Sequence, residues 1–73
     1  MSVVFSEHAE RQLKRRKIPK KEIIKAVQNY DKIESSFRDR KLRRKRVNDK
    51  ILEVVTKTEG SKITVVTAYY LKI

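Results

Sequence analysis

The stretch Arg38–Arg46, RDRKLRRKR, decides the fold, because seven of its nine residues are Lys or Arg and yet it does not lie in a tail. Like charges at this density repel one another and destabilise a compact chain unless an anion compensates them. Only Leu42 is apolar, so the stretch is no core element by itself. It is flanked by segments that alternate apolar and polar residues. The spacing therefore predicts a turn at Arg38-Asp39-Arg40 and a strand from Lys41 to Val47 that presents cations toward phosphates. The competing role is an exposed edge strand whose charges block aggregation. A few Lys suffice for that, so the density favours anion binding.

Outward from this stretch, the chain reads as strands on both sides. Before it, Ile33, Ser35 and Phe37 alternate with Lys32, Glu34 and Ser36. After it, Asn48-Asp49-Lys50 is a turn, since Asn and Asp tolerate left-handed geometry. Ile51–Thr58 is rich in β-branched residues. Gly60 supplies a positive φ in the next turn. Lys62–Leu71, KITVVTAYYL, is the most β-prone stretch, and its apolar residues on both faces predict a central or well-covered strand.

The N-terminal half has a different period. Val3, Val4 and Phe5 make a short apolar start. Ser6 is placed to cap a helix running to about Lys17, with Ala9, Leu13 and the stem of Arg16 on its core stripe. Ile18-Pro19 breaks it. A second helix runs from about Pro19 to Asn29, with Ile23, Ile24, Val27 and Tyr30 buried. The expectation is one domain, residues 1–73, of the α+β class. Two N-terminal helices pack on one face of a four-stranded antiparallel β-meander.

Composition narrows the function. The 73 residues carry 20 Lys and Arg against 9 Asp and Glu, a formal net charge of +11. The excess is regional: Arg11–Lys25 holds eight basic residues and one acid, whereas after Arg46 four basic residues meet three acids. A regional excess marks a binding face, and the expected partner is a polyanion, RNA or DNA, or an acidic protein. There is no Cys and one His, which argues against a structural zinc site and thiol chemistry; no metal or cofactor is expected. No apolar run approaches the ~20 residues of a membrane span, so no membrane role and a cytoplasmic location are expected. The single Gly, single Pro and abundant Lys, Arg and Glu suit a thermophile.

Ser6-Glu7-His8-Ala9, Leu13, Arg16, Ile18 and Glu22-Ile23 resemble the start of a family of small domains, the DUF4258 type. Val65-Val66-Thr67-Ala68-Tyr69 resembles that family's closing strand. Such domains look like relatives of the RelE and BrnT toxins. The resemblance implies a RelE-like α+β fold, endoribonuclease activity on RNA, and neutralisation by an antitoxin. The chain departs from the family pattern at two positions. Gln12 stands where the pattern has Arg, so Arg11 or Arg15 would take over its phosphate contact. Lys17 stands where a Gly would end helix 1 in left-handed geometry. A Lys there costs ~1 kcal/mol or more, so a different helix end is expected.

Cleavage of RNA by its own 2′-hydroxyl needs a proton acceptor, a proton donor and fixed positive charge near the phosphorane. His8 is the only side chain whose ordinary pKa lies near neutrality. With Arg16 and Tyr69 it makes the candidate catalytic set. Arg11, Arg15, Arg43, Arg44, Lys45 and Arg46 are the candidate nucleic-acid-binding set. Alternation puts Leu42, Arg44 and Arg46 on one face and Arg43, Lys45 and Val47 on the other. It leaves open which set meets the ligand, although Leu42 favours Arg43 and Lys45 facing out. Tyr69 and Tyr70 alternate, so one of them shares a face with the basic set. Glu53, the acid inside a strand, is placed to pair across the sheet with an Arg. Three functions fit: a metal-independent endoribonuclease of toxin type, a non-catalytic RNA- or DNA-binding module, and a subunit that docks an acidic partner.

Overall fold

The computed structural model describes residues 2–72. Five strands and two helices follow in the order β1 (Ser2–Phe5), α1 (Glu7–Arg16), α2 (Lys20–Gln28), β2 (Lys32–Ser35), β3 (Arg40–Val47), β4 (Lys50–Glu59) and β5 (Lys62–Lys72). They form one sheet in the order β1-β5-β4-β3-β2. The α+β class is as expected, but the four-stranded antiparallel meander is corrected to a five-stranded mixed sheet. The apolar start Val3-Val4-Phe5 is a strand, parallel to β5 and in register from Ser2 opposite Lys62 to Phe5 opposite Val65. This explains why β5 is apolar on both faces. In a meander it would be an edge strand; here it is flanked by β1 and β4.

Helix α1 starts where Ser6 accepts a hydrogen bond from the Ala9 N–H at 3.0 Å. It ends in left-handed geometry at Lys17, with φ 56° and ψ 45°. The expected different ending does not occur. The Ile18 N–H reaches back to the Leu13 carbonyl and the Lys17 N–H to that of Lys14, so both freed carbonyls are satisfied. Ile18 and Leu13 are both buried there, and their apolar contribution offsets the left-handed cost of Lys17. Pro19 then caps α2.

Both helices lie on one side of the sheet. Helix α1 packs along β5, and α2 packs against β3 and β4. Ala9, Leu13, Ile18, Ile23, Ala26 and Val27 meet Leu52, Val54, Ile63, Val65 and Ala68 in a single core. Tyr30 lies outside it: α2 stops at Gln28, and the ring is exposed. Where the β2–β3 connection turns at Phe37–Asp39, Arg38 and Asp39 both take positive φ. The β4–β5 pairing is irregular after Val55, where Val55 lies opposite Thr67 and Thr56 opposite Val65. The extra residue, Val66, is a bulge of the kind that increases twist.

Candidate nucleic-acid interface

The pleat of β3 divides the basic stretch between two surfaces. Arg43 lies opposite Val54 and Lys45 opposite Leu52, both on the helix-covered side. The expectation drawn from Leu42, that Arg43 and Lys45 face out, is therefore overturned. Arg43 is only 9% exposed. Its Nε donates to Thr56 Oγ1 at 3.1 Å and its Nη1 to the Val27 carbonyl at 3.2 Å. The Tyr30 ring lies 5.3 Å from its guanidinium carbon. Lys45 donates to the Asn29 carbonyl at 3.0 Å. Val27 and Asn29 belong to the C-terminal end of α2, whose unpaired carbonyls and negative dipole end attract cations. Two of the seven cations in the stretch thus hold down a helix end.

Leu42, Arg44 and Arg46 point to the opposite, uncovered side, in register with Val55, Glu53 and Ile51. There the side chains form a continuous polar chain. Arg44 Nε meets Glu53 Oε1 at 2.5 Å, and its Nη1 meets Glu34 Oε1 at 3.0 Å. Lys32 reaches Glu34 at 3.3 Å. The Tyr69 hydroxyl donates to the other Glu53 oxygen. Arg16 closes the chain from the end of α1, with its guanidinium carbon 5.9 Å from the Tyr69 ring centre. Arg16 can reach this side because β1 pairs with β5 only as far as Val65. Beyond that point β5 has a free edge, and Arg16 Nη1 donates to the Ala68 carbonyl at 2.8 Å and to Thr67 Oγ1 at 3.3 Å.

Glu53 is the centre of this chain, and only 4% exposed although no helix lies over it. Tyr69 and Arg44 cover it. The hydrogen bonds from Arg44 and Tyr69 occupy both carboxylate oxygens. Burial, followed by the hydrogen bond to Glu53 and its charge, pushes the Tyr69 phenol up to about 12. The hydrogen bond to Glu53 raises the Arg44 guanidinium further, against the opposing effect of burial. The hydrogen bond from Lys32, then the charge of Arg44, holds the Glu34 carboxyl below its usual range.

The candidate residues are thus partly assembled. Arg16, Tyr69 and Arg44 share one site. Arg46 lies on the same face, its Nε on the Asn48 carbonyl at 3.3 Å. His8 is exposed in the first turn of α1. Eight residues separate it from Arg16, roughly 12 Å along a helix axis, and the contacts of Arg16 run to Thr67, Ala68 and Tyr69, away from His8. Arg11 and Arg15 are exposed on α1. Among the described residues, only Lys20, Lys32 and Arg44 form ion pairs with carboxylates, so Arg11, Arg15, Arg16 and Arg46 keep uncompensated charge. Tyr70 points to the helix side, where it donates to Glu22 at 2.8 Å and lines a cleft of about 390 Å³ with Arg16, Lys17 and Lys50. The expected cross-strand pairing of Glu53 with an Arg is found, with Arg44 as the partner; its buried, central place and its bond from Tyr69 are what sequence reasoning missed. Its signal was the alternation of β4, which puts the acid on the uncovered face once Arg44 is set opposite.

Fold and site together define a small α+β domain with one helix-covered sheet face and one charged, uncovered face. Residues 5–70 match the family model described as Domain of unknown function (DUF4258), and the chain belongs to that family. Comparison with curated proteins and with solved structures found no significant match.

Proposed function

We propose that this chain is a metal-independent endoribonuclease of the toxin type, related to RelE and BrnT, and that RNA lies across its uncovered sheet face. The strongest support is the buried Glu53 carboxylate bracketed by Arg44 and Tyr69, with Arg16 beyond the phenol ring. Such a site supplies the required parts without a metal. Arg44 and Arg16 provide fixed charge for the phosphorane. Entry of the RNA breaks the Tyr69–Glu53 hydrogen bond and frees both groups. Glu53 then accepts the 2′-hydroxyl proton as the oxygen attacks phosphorus. The Tyr69 phenol, protonated at neutral pH, gives its proton to the departing 5′ oxygen. Arg46 holds a flanking phosphate on the same face, whereas Arg11 and Arg15 lie exposed on α1, across the sheet from it. Neutralisation by an acidic antitoxin belongs to the same proposal.

One observation favours a second function, binding without cleavage: both Glu53 oxygens are already engaged in the free chain. Incubation with RNA in EDTA separates the two. The endoribonuclease yields fragments ending in 2′,3′-cyclic phosphate, and Tyr69→Phe or Glu53→Gln slows it by about 10²–10⁴-fold. Tight, salt-dependent binding with intact RNA would leave the non-catalytic module.

A further inference from the structure

The outer edge of β2 is unprotected. Sheets normally guard an exposed edge with several Lys, a Pro or a bulge. Strand β2 (KIES) has no Pro, its pairing with β3 runs without a break, and its one Lys is paired with its own Glu34. At the other side of the sheet, where β1 is equally short, Arg16 covers the free part of β5. Among the described residues, the large hydrophobic side chains left exposed are Val4, Tyr30, Ile33 and Phe37. Three of these four lie on β2 or directly beside it. Phe37 is 87% exposed.

Charge decides what fits there. Tyr30–Phe37, YDKIESSF, carries Asp31 and Glu34 against Lys32, a net negative segment in a strongly basic chain. Neither RNA nor an acidic peptide matches it. A second copy of this chain does, because self-repulsion is weakest here and the pattern is self-complementary. The hydrogen-bond phase sets the register. The Ser36 N–H donates to the Arg40 carbonyl, so this pair is bonded to β3 and Glu34 and Lys32 follow it at alternate positions. The N–H and C=O of Ile33 therefore point away from the sheet.

We infer that two copies pair antiparallel through β2 about a two-fold axis at Ile33, which doubles the sheet and keeps both pairs of helices on one side. Ile33 of one protomer exchanges both backbone hydrogen bonds with Ile33 of its partner. Their side chains meet on the helix side. On the other side, Lys32 faces Glu34 of the partner and Glu34 faces Lys32 of the partner. The arrangement is closed, so pairing stops at two.

Sedimentation velocity on the full chain tests this. The mass should rise from 8.7 kDa toward twice that value as concentration approaches about 1 mM. Ile33→Pro removes the outward N–H at a place where an edge strand tolerates proline, and should weaken association roughly tenfold or more. Lys32→Glu presents two carboxylates to a like copy, and Glu34→Lys presents two ammonium groups. Each variant alone should be monomeric, and an equimolar mixture should pair. A wild type that stays monomeric throughout, a dimer that survives Ile33→Pro, or variants that pair no better mixed than alone would overturn the inference.

Discussion

Arg43→Ala separates a structural cation from a binding one. Arg43 is buried and gives hydrogen bonds to Thr56 and to the carbonyl of Val27. Hydrogen bonds from charged donors contribute about 1.5–3 kcal/mol each. Contact with the Tyr30 ring adds about 0.5–1 kcal/mol. Release of a buried guanidinium from its desolvated position opposes these losses. Thr56 Oγ1 retains its own bond to the Lys41 carbonyl at 3.2 Å. The expected net loss is about 2–4 kcal/mol. A chain of this length has about 4–11 kcal/mol in total, so the loss is a large fraction. At about 4–8 °C per kcal/mol, the melting temperature should fall by roughly 10–25 °C. Urea and thermal unfolding measure this directly. Fluorescence anisotropy with a single-stranded RNA, titrated with salt below the melting range, measures phosphate contacts. For Arg43→Ala the salt slope should not change, whereas Arg44→Ala should lower it by about 0.7. A melting temperature within experimental error of wild type, together with a lowered slope, would refute the assignment of Arg43 to the end of α2.

Four further outcomes follow from the same geometry. Ultraviolet titration should show Tyr69 and Tyr70 ionising near 12; because both are raised above the ordinary value of about 10, their stability contribution is complete below pH 10 and lost as pH rises toward 12. Tyr69→Phe and Tyr70→Phe should each flatten that alkaline loss, and an unchanged denaturation profile would contradict the half-buried, carboxylate-bonded phenols. Glu34 acts in the opposite direction: its lowered pKa stabilises the fold above the unfolded-state value near 4.3, and this is lost as pH falls through the folded value, a loss that Glu34→Gln should reduce in acid unfolding. Lys17→Gly should raise the melting temperature by a few degrees, since glycine takes φ 56° without strain, and a lower melting temperature would show that the end of α1 is not under tension. Ile23→Ala, at a fully buried site under the sheet, should cost about 2–5 kcal/mol by urea denaturation; a cost under 1 kcal/mol would mean the core is not packed as described.

Much of the fold is legible because its signals are local. Ser6, Ile18-Pro19, Asn48 and Gly60 act within a few residues of themselves, and each marks a boundary the structure keeps. Strand β1 is not legible in that way. Ser2–Phe5 runs without a turn into the cap of α1, and its pairing partner lies some sixty residues on. The apolar residues on both faces of β5 are the trace that this pairing leaves. Lys17 misleads for a different reason: its left-handed cost is local, but the Leu13–Ile18 burial that offsets it comes from packing. In the candidate site, period two separates Arg43 from Arg44 but does not say which side the helices cover. Leu42 suggests the wrong side because it lies with Val55 on the uncovered face, while Arg43 lies under α2 with its charge on a helix carbonyl. Register across β3, β4 and β5 is what selects Arg44 as the Arg that Glu53 pairs with and sets Tyr69 on its other side.

The central claim is that the uncovered sheet face, more than the basic surface of the helices, receives the polynucleotide. Titration of isotope-labelled protein with a short single-stranded RNA, followed through backbone amide resonances, tests it most directly. The account predicts shifts concentrated at Leu42, Arg44, Arg46, Glu53, Thr67, Tyr69 and Arg16. Shifts confined to Lys20–Gln28 and the first turn of α1, with Glu53 and Tyr69 unmoved, would contradict it.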